Sequence, residues 1–79
     1  MEKMVWENGD TEVFWLSRVG DLDDFGNAIH DQFVDGATRM GPWAIMTPEC
    51  HSALGLGLGL GLGQRYARQS DGRWLKVEG

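Results

Sequence analysis

Apolar residues in this chain come in short runs, and residues that interrupt regular structure separate them roughly every eight to twelve positions, the spacing of a small β-rich domain. The first two runs lie in KMVWENGDTEVFWLSRV, on either side of Asn8-Gly9. Asn-Gly favours a type I′ turn, whose two central residues both need positive φ, so Lys3 to Glu7 and Thr11 to Ser17 are expected to pair as strands. Val5, Val13, Phe14 and Trp15 suit strands better than a helix. GDLDDFGNAIHDQF follows, with Asp21, Asp23 and Asp24 crowded ahead of Gly26, and reads as a loop. Asp35-Gly36 and Gly41-Pro42 are turn dipeptides, which leaves short strands at Gln32 to Val34 and Trp43 to Met46. QRYARQ and RWLKVE flank Ser70-Asp71-Gly72 as a further hairpin. One short helix is expected after Pro48, with Thr47 as its cap. The pattern therefore predicts a single all-β or α+β domain over 1–79, divided into an N-terminal hairpin (1–19), a middle section (20–52) and a final section (53–79), with two to three hairpins and at most one short helix.

The stretch ALGLGLGLGLGQRY, from Ala53 to Tyr66, alternates leucine and glycine. It is too short to span a bilayer, which takes roughly 18 to 20 apolar residues. It also lacks the Lys and Ser or Thr that close a phosphate-binding loop. In an extended chain side chains alternate faces, so the leucines would line one face while the bare glycine face lets another backbone come close. The alternative is a series of tight turns, since glycine is poorly determined as strand. Either way the run is expected to serve the fold, with its leucines facing the core.

Length narrows the functions open to such a chain. At 79 residues it buries only about 60 to 65 per cent of its unfolded surface, and an enzymatic cleft would compete with the core for side chains. The 42 per cent apolar content and four tryptophans are those of a folding domain. A formal charge of -5, from 12 acidic against 7 basic residues, disfavours nonspecific binding to phosphate backbones and suits a basic protein partner. MEKMVWENGD has neither the basic leader nor the apolar segment of a secretory signal. The lone Cys50 cannot form an internal disulfide, which fits a reducing cytoplasm.

TRMGPWAIMTPECH, followed by GLGLGLGLGQRY and DGRW, resembles a group of small phage and prophage zinc-ribbon-like proteins. Their pattern runs from an Asp-Gly turn through Thr-Arg and Gly-Pro-Trp-Ala to a Cys-x-x-Cys-His knuckle, a glycine-rich run ending Gly-Gln-x-Tyr, and a late Gly-x-Trp. The resemblance covers 22–77 and implies an earlier Cys-x-x-Cys that completes the metal site. Here the first knuckle falls on Leu22 and Phe25 and the second on Thr47 and Cys50, so Cys50 with His51 is a residual knuckle. Structural zinc takes four ligands, and no metal or other cofactor is expected. Leu22 and Phe25 are expected to bury as an apolar plug where the metal sat, contributing roughly 1.5 to 3 kcal/mol each.

Other chemistry is thin. A Cys50-His51 nucleophile is disfavoured because neighbours on a strand point opposite ways, and His30-Asp31 reads as a surface pair rather than an acid-base pair. Asp21, Asp23 and Asp24 lack the ligand spacing of a calcium loop. With Glu12 they instead offer a negative surface, able to occupy the phosphate-binding groove of a basic protein such as a nuclease. The expected function is thus a non-enzymatic phage-type accessory protein acting by binding, an inhibitor of a host defence nuclease in the manner of an anti-CRISPR protein. The alternative is a nucleic-acid-binding module using Arg65, Arg68, Arg73 and Trp74 on the final hairpin, where Tyr66 and Lys76 also lie.

Overall fold

The structure is a computed structural model that describes the backbone of residues 5–7 and residues 12–79 in full. Its strands are β1 (Val5–Glu7), β2 (Val13–Trp15), β3 (Gln32–Ala37), β4 (Trp43–Met46), β5 (Gly63–Arg68) and β6 (Trp74–Glu78), with one helix, α1 (Pro48–Leu54), between β4 and β5. They form one antiparallel sheet in the order β1-β2-β6-β5-β3-β4. Three hairpins, β1–β2, β3–β4 and β5–β6, are therefore laid side by side in a single small β-rich domain.

Local chemistry explains most of these elements. The Thr47 hydroxyl accepts from the Cys50 N–H at 3.2 Å and Pro48 occupies the first turn of α1, as the sequence leads one to expect. β5 and β6 pair across 69–73, with Arg68 opposite Trp74. Glu7 pairs with Val13 and Val5 with Trp15, whereas a two-residue turn at Asn8-Gly9 would set Glu7 against Asp10. The turn itself lies outside the described residues.

Asp35-Gly36 is not a turn but the middle of β3. Asp35 is fully buried, and its Oδ1 accepts from the Trp43 indole N–H at 2.7 Å. Gly36 sits opposite Gly63, and a Cβ on it would come within 2.9 Å of the Leu62 carbonyl oxygen. The glycine is there for a close approach of two backbones, not for a reversal.

The leucine-glycine run is where expectation and structure part most clearly. Leu54 closes α1, Gly55 bridges to Thr38, and Gly59 to Gly63 form a tight turn in which the Leu62 N–H donates to the Gly59 carbonyl at 3.0 Å. Gly57, Gly59 and Gly61 all have positive φ, so the backbone does not alternate as a strand would. Most of the leucines turn away from the core: Leu60 is completely exposed, Leu56 and Leu62 face solvent as well, and only Leu54 and Leu58 are half-buried. The glycines hold the run in place. Gly55 leaves room for the His51 ring, whose Nε2–H donates to the Gly57 carbonyl at 2.8 Å.

Side chains are buried on both faces of the sheet. On one, Trp15, Phe33 and Tyr66 are buried together, with Phe33 stacked on Tyr66 at 5.1 Å and the Trp15 ring edge-on to both. Val19 and Ile29, from the segment joining β2 to β3, pack against this cluster with Ile45 and Trp74. On the other face Val34, Ala44 and Met46 are buried where α1 lies along β3 and β4. Among the described residues no helix is long and apolar enough to cross a membrane.

Gly36→Ala is expected to destabilise the domain by about 1 to 3 kcal/mol through overpacking, while Leu60→Ser stays within about 0.5 kcal/mol of the parent; denaturant titration of both variants checks the contrast. The Tyr66 hydroxyl is pushed up to about 12, first by burial and second by the charge of Asp35. Its neutral form is favoured by folding, so this contribution is complete below the ordinary tyrosine value of about 10 and is lost as pH rises from there to about 12, roughly 2 to 3 kcal/mol in all. Tyr66→Phe is expected to flatten that alkaline loss, read by denaturant titration at about pH 9 and about pH 12.

Candidate functional site

The three aspartates of LDDFG have different fates. Asp23 turns inward, its side chain only 6 per cent exposed. Its Oδ1 accepts from the backbone N–H groups of Phe25 at 2.9 Å and Asn27 at 2.8 Å, and the Asn27 amide donates to both carboxylate oxygens. Its Oδ2 reaches across to the Thr47 N–H at 2.9 Å, 24 residues away in sequence. Burial raises the Asp23 carboxyl, but the N–H groups of Asn27 and Thr47, the Asn27 amide and the Phe25 N–H outweigh it and hold the group below the usual range. Asp24 works beside it: its N–H donates to the Ile45 carbonyl at 3.0 Å and its Oδ2 accepts the Ile45 N–H at 2.8 Å.

These bonds cap the outer edge of β4. An edge strand offers unpaired backbone groups to other chains, and the Asp23-Asp24 pair occupies those of Ile45 and Thr47. The loop closes on itself through a bridge between Leu22 and Ala28. The consequence for Leu22 and Phe25 is the reverse of the apolar plug: they are 59 and 40 per cent exposed. With Asp23 anchored between them, both are held outward on a fixed backbone.

The negative surface expected from the sequence is thereby revised. Asp23 is withdrawn from it, because a buried carboxylate whose oxygens are engaged is not offered to a partner. Asp21 and Asp24 are exposed beside Leu22, and Glu12 is exposed just ahead of β2. The structure thus places an apolar and acidic surface at 21–25, a combination that the sequence hid because all three aspartates look alike in a loop.

The basic hairpin is occupied internally. Arg65 contacts Glu78 at 2.7 Å and the Gln32 side-chain oxygen at 2.8 Å, Arg73 contacts Asp71 at 2.8 Å, and Arg68 approaches Asp31 at 3.7 Å. Arg68 also lies over the Trp74 ring and Arg73 over that of Phe14. Trp74 packs edge-on to Phe33 at 5.0 Å, so its ring serves the core. The contact of Arg73 with Asp71 holds the exposed Asp71 carboxyl low, through the Arg73 N–H first and its side chain second.

Cys50 and His51 are neighbours on α1, and His51 is committed to the glycine run. Burial, then the nearby Asp23 charge, pushes the Cys50 thiol up, which disfavours the thiolate that nucleophilic chemistry needs. Among the described residues no three His, Cys, Asp or Glu side chains are grouped to hold a metal ion. Concavities are found among the described residues. One, of about 230 Å3, lies between Trp15 and the 17–24 segment, and another, of about 280 Å3, between His30-Asp31-Gln32 and Pro48-Glu49. Comparison with protein-family models, with curated proteins and with solved structures finds no match to this chain.

Asp23→Ala is expected to cost about 2 to 4 kcal/mol, since hydrogen bonds to a charged group contribute roughly 1.5 to 3 kcal/mol net each and their loss leaves buried N–H groups unpaired. Asp21→Ala, on the exposed surface, is expected to cost less than about 0.5 kcal/mol. Because the folded Asp23 value is depressed, its contribution is present above the unfolded value of about 3.9 and is lost as pH falls through the folded one. Acid titration of stability in the parent and in Asp23→Ala checks the sign: the parent is expected to lose the difference between them below that range.

Proposed function

We propose that this protein is a non-enzymatic binding module that engages a basic protein through the 21–25 loop. The observation that carries the reading is that Leu22 and Phe25 face solvent from a backbone that Asp23 fixes in place. Apolar side chains presented on a pre-ordered loop bind without the entropic cost of ordering it. The flanking Asp21 and Asp24, with Glu12 and the net charge of -5, supply complementarity that steers a basic partner. The phosphate-binding groove of a nucleic-acid enzyme has that character, and a host defence nuclease is the partner class proposed, with inhibition by occupying the groove. Descent from a zinc ribbon belongs to the same proposal: Asp23 joins the two segments that a metal would otherwise join. The nucleic-acid alternative draws less support, because Arg65, Arg68 and Arg73 are each engaged with a carboxylate.

The test is calorimetric titration of the protein against purified RNA-guided nucleases, each with and without bound nucleic acid, and against nucleic acid alone. Binding to a free nuclease is expected, with loss when the groove is filled. A Leu22→Ala, Phe25→Ala double variant is expected to weaken it by about 10- to 100-fold, the loss of one or two anchoring side chains. Binding to nucleic acid alone, or full affinity in the double variant, overturns the reading.

A further inference from the structure

The leucine-glycine run displays side chains that neither the core nor the 21–25 loop uses. The Gly59 N–H donates to the Gly63 carbonyl at 2.7 Å and the Gly63 N–H to the Gly59 carbonyl at 3.0 Å, so Leu60, Gly61 and Leu62 form the tip of a miniature hairpin. The Gly59 carbonyl also accepts from the Leu62 N–H and from the Gln64 side-chain amide. The tip is thereby fixed, and Leu60 stands on it completely exposed.

Backbone bonds gather further exposed apolar residues at the same end of the sheet. The Ala37 N–H donates to the Leu62 carbonyl and the Arg39 N–H to the Leu54 carbonyl, both at 2.8 Å, and Thr38 bridges to Gly55. The turn after β3, where Met40 is 60 per cent exposed, therefore lies beside the run, in which Leu56 and Leu62 are exposed too. A single exposed leucine is ordinary, but four apolar side chains at one end form a patch.

Composition and charge say what this patch meets. From Ala53 to Gly63 the chain carries no polar or charged side chain. A protein interface uses about one hydrogen bond per 100 to 200 Å2 and draws its energy from Trp, Tyr and Arg, with leucine under-represented. A lipid surface needs no such groups, only apolar side chains on a backbone bonded to itself. Arg39, exposed next to Met40, can lay its aliphatic stem along the patch and keep its charge among the headgroups. Glu78, at the same end, is paired with Arg65 at 2.7 Å. The acidic 21–25 loop is bonded to Ile45 and Thr47, toward the other end of β4.

From this we infer that the 55–62 segment, together with Arg39 and Met40, is a docking site for a lipid surface. Leu56, Leu60 and Met40 enter the boundary between headgroups and acyl chains while the sheet stays in water. The contact is shallow and reversible.

The experiment is co-sedimentation of the full chain with phosphatidylcholine vesicles. Bound protein is expected to rise saturably with lipid. Leu60→Ser is expected to weaken partitioning by about tenfold or more, the effect of keeping one leucine side chain in water, whereas the Leu22→Ala, Phe25→Ala double variant is expected to bind as the parent does. The emission of Leu60→Trp, less that of the parent, is expected to move to the blue on vesicles. With a net charge of -5, added phosphatidylserine is not expected to strengthen binding. No co-sedimentation, equal partitioning of Leu60→Ser and the parent, an unmoved Leu60→Trp emission, or a requirement for phosphatidylserine each overturns the inference. Self-association without lipid that Leu60→Ser abolishes assigns the patch to a second copy of the chain and overturns it as well. No nuclease is present, so the outcome is separate from that of the protein-binding reading.

Discussion

Asp23 accepts hydrogen bonds from Phe25 and Asn27 within its own loop and from Thr47 at the start of α1, and much of the domain is arranged around that junction. A carboxylate used in this way is a cross-link made of backbone N–H groups. It differs from a structural metal in scale and in kind. A zinc site can contribute apparent energies of about 10 to 16 kcal/mol, whereas hydrogen bonds to a charged group contribute roughly 1.5 to 3 kcal/mol each and are set against the desolvation of the charge. The carboxylate is weaker, but it is directional, and it fixes two loops in one relative orientation.

That orientation reaches the core. The segment between β2 and β3 carries Val19 and Ile29, which cover the cluster of Trp15, Phe33 and Tyr66, and the same segment is tied down at its middle by Asp23 and Asp24. Without the tie, the connection would keep its own backbone bonds, such as Asp23 N–H to Asn27 and Ile29 N–H to Asp21, but would lose its attachment to β4. Closure of the β4 edge, and the placing of the segment that carries Val19 and Ile29, thus involve two adjacent carboxylates. Their neighbour Asp21 contributes its carbonyl to the Ile29 N–H and leaves its side chain in solvent.

The hairpins and the capped helix were legible because their signals are local. Ser70-Asp71-Gly72, Gly41-Pro42 and Thr47-Pro48 each act within a few residues, so the sequence alone places the reversals and the start of α1. Asp35-Gly36 misleads for the opposite reason: its glycine answers to Gly63, which reaches it from the far end of the leucine-glycine run, and a turn rule has no access to that partner. The run itself misleads because alternation implies two faces only if the backbone is extended, and positive φ at Gly57, Gly59 and Gly61 removes that premise. Asp23 could not be singled out from Asp21 and Asp24 by composition. What distinguishes it is the Thr47 N–H across the fold, and only tertiary structure brings the two together.

The cost of fixing the 21–25 loop also bears on what the loop can do. Exposed apolar side chains on a mobile segment would lose conformational freedom on meeting a partner, and would be open to collapse onto the protein's own surface. Here the backbone is already ordered by bonds that point inward, and Leu22 and Phe25 are turned outward as a geometric result of Asp23 pointing in between them. The anchoring carboxylate and the displayed apolar pair are therefore two sides of one arrangement. A residue buried for stability determines which neighbours face solvent, and the adjacent Asp21 and Asp24 give that small apolar surface its negative border.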